Sequence, residues 1–198
     1  MILKEINEMI KMFENYRMNM LNKRAASPEG KPAEVLKNLD ILDGDVVGDI
    51  GTGGGYFTFE FSRKVGKKGK VYSIDVNQKS LDFIDDNSKK NGIKNVKTVL
   101  ANENGFSLPD KVDMFFLRNV FHHLPDHVEY FRNIKQFLKK DGKIAIMDYK
   151  KKGFSFVGMF GHYTPEEVII DTMEKAGFYV SEKFDFLDNQ SFMIFKMK

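Results

Sequence analysis

A chain of 198 residues, 42% apolar and 30% charged, suits one globular domain with a modest extension and excludes a disordered or fibrous protein. It has no cysteine, which excludes disulfide staples, thiolate zinc sites and a cysteine nucleophile, and fits a reducing, cytoplasmic setting. The net charge of +3 is spread over lysine pairs such as Lys67-Lys68 and Lys139-Lys140, and no apolar run nears the ~20 residues of a membrane span, so neither nucleic acid nor membrane is an expected partner.

Residues Met1 to Lys11 mix Lys4, Glu5, Glu8 and Lys11 with apolar side chains and do not read as a signal peptide. Ile2, Ile6, Met9, Phe13, Tyr16 and Met20 recur at spacings of four and three, which predicts a helix over 2–21 with one apolar stripe. That stripe serves as a lid, as a homodimer contact or in simple packing. A polar link, Lys23 to Pro32, and a short helix through Glu34-Val35-Leu36 follow. The division is thus an appendage at 1–31 and a main domain at 32–198.

From residue 45 onward strand and helix patterns alternate. Val46–Ile50, Lys70–Ile74, Val96–Leu100, Val112–Leu117 and Lys143–Asp148 are short apolar runs, as expected of strands covered on both faces. The helix after Asn77 turns Leu81 and Ile84 inward and stops at Lys89-Lys90, with Gly92 as its C′ residue. The helix after Pro125 carries Val128, Phe131, Ile134 and Leu138 on one face and stops at Lys139-Lys140 and Gly142. Thr164-Pro165-Glu166-Glu167 reads as a capping box, with Thr164 the N-cap, Pro165 at N1 and Glu167 at N3 of a helix ending at Lys175-Ala176-Gly177. Two last runs, Phe178–Leu187 and Ser191–Met197, are joined by Asp188-Asn189-Gln190, a link short enough only for an antiparallel hairpin. The expectation is an α/β fold: a doubly wound, three-layer Rossmann-like sandwich whose mostly parallel seven-stranded sheet ends in a C-terminal antiparallel hairpin.

The sharpest local feature is Asp49-Ile50-Gly51-Thr52-Gly53-Gly54-Gly55-Tyr56, where the first strand turns into a helix. Glycines let the backbone bend and let a ligand approach main-chain N–H groups, and the helix N-terminus favours a negatively charged group. A dinucleotide site needs G-x-G-x-x-G, and counting from Gly51 its third glycine falls on Tyr56. A phenol there crowds a pyrophosphate but not the smaller amino-acid end of S-adenosylmethionine. Asp49 fits that ligand, since it attracts an ammonium and repels a phosphate. Asp75 ends the next strand 24 residues after Gly51, where a carboxylate accepts both ribose hydroxyls; its alternative is a helix cap, a job Asn77 takes equally well. Asn102 and Glu103 follow the third strand and suit an adenine edge, although Asn is also an ordinary loop residue.

The fourth strand runs into Leu117-Arg118-Asn119-Val120-Phe121-His122-His123-Leu124-Pro125-Asp126. With the D-I-G-x-G-x-G-Y-F-T turn, the V-Y-x-x-D strand, the H-H-L-P-D segment, and later H-Y-T-P-E-E-V-I, K-A-G-F and F-M-I-F-K, the chain from about Pro32 to Lys198 resembles the class I S-adenosylmethionine-dependent methyltransferases, small-molecule branch. The resemblance implies that Gly51, Gly53 and Gly55 contact the methionine end, Asp75 the ribose, and Asn102 and Glu103 the adenine side, with Asp49, Thr52, Tyr56 and Val76 as further cofactor-binding residues. It places Arg118 and Asn119 beside the methyl-bearing sulfur. Asn102 and Asn119 stand where relatives often carry Asp, and the second leaves the charge of the acceptor pocket open.

No catalytic residue is assigned. His122 and His123 point differently, so both cannot face one small ligand, and one packs or caps the next helix. Asp148, Tyr149 and His162 are further candidates for the acceptor side. The four histidines lack a carboxylate at ligand spacing, so no metal is expected. The Asp/Asn-Pro-Pro-Tyr motif of adenine methylases is absent, and cytosine C5 and arsenite methylation need cysteine, so the favoured acceptor is a small molecule. RNA or protein methylation, a nicotinamide dehydrogenase and a non-catalytic nucleotide-binding module are the rivals.

Overall fold

The computed structural model describes residues 2–102, 105–150 and 163–198. Helix α1 (Ile2–Ala25) leads through a short 3-10 turn to α2 (Pro32–Asn38), and then β1 (Val46–Ile50), α3 (Tyr56–Val65), β2 (Lys70–Asp75), α4 (Gln78–Lys90) and β3 (Val96–Leu100) alternate. Next come β4 (Val112–Arg118), α5 (His127–Ile134), β5 (Leu138–Tyr149), a helix we label α6 (Glu166–Lys175), β6 (Phe178–Phe184) and β7 (Gln190–Met197). The strands form one sheet in the order β3-β2-β1-β4-β5-β7-β6. β1 pairs in parallel with both β2 and β4, whereas β7 runs antiparallel between β5 and β6.

Alternation along β4 shows why the sheet needs cover on both faces. Phe115 and Leu117 join one buried cluster with Phe131 of α5 and Ile169 of α6; Met114 and Phe116 join another with Phe57 and Phe61 of α3 and Val35 of α2. Burying a large apolar side chain stabilises a fold by about 1.5–3 kcal/mol, so strands with both faces covered hold the sheet from each side. The expected doubly wound sandwich is therefore present. The strand order reverses between β1 and β4, and such reversal points are where open α/β sheets bind ligands. Among the described residues no helix is long and apolar enough to cross a membrane.

Four local expectations are corrected. The apolar stripe of α1 does not pack: Ile6, Met9, Phe13, Tyr16 and Met20 are 41–67% exposed, while the Ile2 side chain lies outside the described set. The seated face is the opposite one, offset by two residues. Met18 is buried there with Ser80 donating to its sulfur, and Lys11–Asp86 and Glu14–Lys79 ion pairs tie α1 to α4. The helix after Pro125 stops at Ile134, because Leu138 already pairs with Val112 and the Lys139–Gly142 stretch bulges out before Lys143 meets Met114. β6 ends at Phe184, so the hairpin link is 185–189. Finally, Thr164 caps nothing: its hydroxyl donates to the buried Asp148 carboxylate at 3.4 Å, and α6 starts after Pro165 without a side-chain cap. A buried carboxylate outcompetes a backbone N–H that water can reach.

Candidate functional site

At the carboxyl ends of β1 and β4 lies a cavity of about 760 Å³. Its walls come from four places in the chain: the end of α1 (Leu21, Asn22, Arg24, Ala25), the glycine turn with the start of α3, the segment Arg118–His123, and Tyr149. Of the residues expected at the site, Asp49, Gly51, Thr52, Gly53, Tyr56, Arg118, Asn119, His122, His123 and Tyr149 line this cavity.

The turn is built by positive φ at Gly51, Gly53 and Gly55, and by a close approach at Gly54. A Cβ at Gly54 would fall 2.4 Å from both the Met18 carbonyl and Asn22 Oδ1 of α1. Helix α1 therefore seats directly on the turn, a contact that a motif read along the chain cannot reveal. Gly55 belongs to the other side, as the left-handed N-cap of α3 facing Ile84.

Four amides of this turn have partners within the protein. Gly51 and Thr52 N–H groups donate to the Ile74 carbonyl, and Gly55 N–H to the Thr52 carbonyl. Gly53 N–H donates to Asp75 Oδ2 at 3.0 Å. These four amides are thus hydrogen-bonded within the protein. Asp75 in turn is fixed at both oxygens, because Oδ1 accepts Asn77 N–H at 2.9 Å, while Asn77 itself caps α4 by accepting Lys79 N–H. Asp75 thus stands at the rim beside the cavity, with Val76 exposed next to it. Asn102 exchanges backbone bonds with Gly105, and Glu103 lies outside the described residues, as does His162.

Asp49 sits beneath the turn and is almost fully buried, receiving Thr58 Oγ1 at 2.6 Å and Thr52 Oγ1 at 3.1 Å. Its carboxylate thus ties the turn to the start of α3. Burial pushes this carboxyl up to about 6, against the pull of the hydroxyl donors and with the charge of Asp75 adding to the rise. The folded state therefore holds this proton more tightly than the unfolded one, and stability falls as pH rises from about 4 to 6. Asp49→Asn stays neutral throughout. It is expected to stabilise the ligand-free protein above pH 7 by up to about 3 kcal/mol, with the gap closing below pH 4. Thermal unfolding of both proteins at pH 4 and pH 8 checks this, and equal gaps at the two pH values would refute it.

Two of the acceptor-side candidates, His122 and Asp148, are in contact. Asp148 is fully buried behind His122 and receives Tyr149 N–H at 2.8 Å, with His122 Nδ1 at 3.1 Å from the same carboxylate. Desolvation raises the Asp148 carboxyl, and the adjacent His122 pulls it back. The His123 ring lies 4.0 Å from that of His122. His127 packs on Phe121 and bonds its carbonyl, and Asp126, not a histidine, caps α5. Asn119 takes φ +55, and its side-chain oxygen accepts from Gln190 Nε2 at 2.6 Å, so the start of β7 pins this wall. Arg118 is mostly buried and stacks 5.8 Å from the Phe57 ring centroid, with Nε enclosed and lacking a hydrogen-bond partner. Among the described residues it makes no ion pair.

Sequence reading missed Leu21, Asn22, Arg24 and Gln190. None belongs to a motif, and each arrives from an element distant in sequence. Only the polar Asn22, on the seated face of α1, offered a signal.

A family model described as a methyltransferase domain matches residues 41–179. The (S)-coclaurine N-methyltransferase of Thalictrum flavum subsp. glaucum is 29% identical over 129 residues, covering 65% of this chain and 34% of that protein. The ubiquinone/menaquinone biosynthesis C-methyltransferase UbiE of Vibrio vulnificus is 32% identical over 113 residues, 56% of this chain and 44% of that protein. The chain thus spans less than half the length of these curated relatives. The crystal structure of a SAM dependent methyltransferase from Aquifex aeolicus superposes with a TM-score of 0.83 at 28% identity, over 93% of this chain and 98% of that one.

Proposed function

Because the chain belongs to the methyltransferase domain family, we propose that it transfers the methyl group of S-adenosylmethionine to a nucleophile on a small-molecule acceptor. The observation that carries this is the bond from Gly53 N–H to Asp75, which joins the glycine turn to the strand-end acid at the point where the strand order reverses, beside the cavity. The residues fit the donor. Two buried polar atoms on the cavity walls, Asn22 Oδ1 and Arg118 Nε, lack partners and suit an ammonium and a carboxylate. A volume of about 760 Å³ lies in the range of small-molecule sites, roughly 300–1,000 Å³. The names of the two curated relatives likewise specify small organic acceptors.

When bound, S-adenosylmethionine supplies a methyl group already activated on a sulfonium, so alignment contributes much of the acceleration. The protein's share is to hold the two reactants in line. Asp75 orients the ribose, and Asn119, locked by Gln190, sets the wall near the transfer point. Where the acceptor's nucleophile carries a proton, His122 is the group placed to accept it. With Nδ1–H given to Asp148, Nε2 is the nitrogen of that tautomer able to accept a proton. A cysteine-free chain suits a cytoplasmic setting for this reaction.

Isothermal titration of the protein with S-adenosylmethionine, S-adenosylhomocysteine and NADH tests the reading. The first two are expected to bind at one site per chain and NADH not at all. Binding of NADH alone would overturn it.

A further inference from the structure

We propose that the exposed apolar stripe of α1 is the contact between two copies of this chain, paired antiparallel about a two-fold axis. The inference stands apart from the donor reading, because it concerns the face of α1 turned away from the rest of the domain. Ile6, Met9, Phe13, Tyr16 and Met20 form the stripe, and Ile10 flanks it, also exposed. The opposite face is already taken: Met18 is buried against Ser80, and Lys11 and Glu14 bond α4. At roughly 100 Å² of free surface each, about half of what a large side chain carries, these side chains offer ~600 Å². Monomeric proteins seldom leave more than a few hundred Å² of contiguous apolar surface, and about 800 Å² is one side of a standard interface. The spacing of three and four residues is that of a coiled-coil seam, so the stripe fits a second helix of the same period laid along it.

Charge decides which helix that is and how it runs. Glu5 and Lys23 stand on the same flank of the stripe, about five helical turns apart, both exposed and without an ion pair among the described residues. In an antiparallel pair like flanks meet, so Glu5 of one copy faces the partner's Lys23, and symmetry repeats the contact. In that register Met9 lies opposite the partner's Met20 and Phe13 opposite the partner's Tyr16, which closes a seam of roughly 27 Å. A parallel pair would instead continue the row of Met9 and Tyr16 into Lys23 against the partner's Lys23, setting like charges together. The last turns of α1 also line the cavity through Leu21, Asn22 and Arg24. Docking at Lys23 therefore brings the first turns of the partner to the cavity rim, and each site is bordered by both chains.

Sedimentation velocity of the full chain tests this. Wild type is expected to be a dimer at about 100 μM, and Phe13→Glu to raise the dissociation constant by about thirtyfold or more. Glu5→Lys and Lys23→Glu each create two like-charge contacts across the axis and are expected to raise it by about fivefold. Glu5→Lys/Lys23→Glu restores opposite pairs and is expected to return it to within about twofold of wild type. All three positions are exposed, so these substitutions leave the fold of the single chain intact. Because the chain has no cysteine, Met9→Cys and Met20→Cys give an independent readout: an oxidised mixture of the two variants should cross-link far more than either alone. A wild-type monomer at about 100 μM, or a dimer that Phe13→Glu leaves intact, overturns the proposal. A double charge reversal as weak as the single ones, or cross-linking no greater in the mixture, overturns the antiparallel pairing and the proposal with it.

Discussion

Replacing Asp75 by alanine is expected to weaken binding of S-adenosylhomocysteine by at least a hundredfold. The carboxylate ends β2 with Gly53 N–H on one oxygen and Asn77 N–H on the other, so it is oriented before any ligand arrives. Hydrogen bonds to a charged group contribute about 1.5–3 kcal/mol each, and losing two from the ribose corresponds to a factor of roughly 10²–10⁴. The same truncation strips Gly53 of its acceptor, so the turn loosens as well. Asp75→Asn keeps one oxygen and should fall between wild type and alanine. Titration calorimetry reads the affinities, and a change of less than threefold in the alanine variant would remove Asp75 from the site.

The second large effect is on stability. Gly51→Ala is expected to lower the melting temperature by about 4–20 °C. Gly51 has φ +71, its N–H is tied to the Ile74 carbonyl at 2.8 Å, and a Cβ there would fall 2.1 Å from Val120 Cγ2. The left-handed backbone costs an L-residue about 1–2 kcal/mol and overpacking adds about 1–3 kcal/mol. For a domain of this size each kcal/mol shifts the midpoint by roughly 2–4 °C. The double variant Gly51→Ala/Val120→Ala should recover the steric part and leave the backbone part. Circular dichroism melts decide it: a single variant within 2 °C of wild type would mean that neither term operates.

What could be read from the sequence is what is written locally. The β1 turn, the acid at the end of β2 and the alternation of apolar runs with capped helices are fixed by a few neighbouring residues, and the three-layer sheet follows from them. Features set by distant partners were not legible. The most apolar stripe of α1 points outward because the opposite face is held by Met18 over Ser80 and by two ion pairs to α4. The capping signature at Thr164 was sound as a local pattern but lost its hydroxyl to Asp148. Likewise, neither Asn22 over Gly54 nor Gln190 on Asn119 is visible until strands and helices 32 and 71 positions apart are brought together.

The position of β7 has a bearing on how the protein is made. It slots between β5 and β6 after every other strand of the sheet has been translated, and its first residue secures Asn119. A nascent chain therefore displays the whole donor-binding fingerprint while the pocket still lacks that anchor and β5 still has an open flank. Closure must wait for β7 to thread home, a slow, long-range event during which the unfinished sheet is open to pairing with other chains. Competence thus waits for β7.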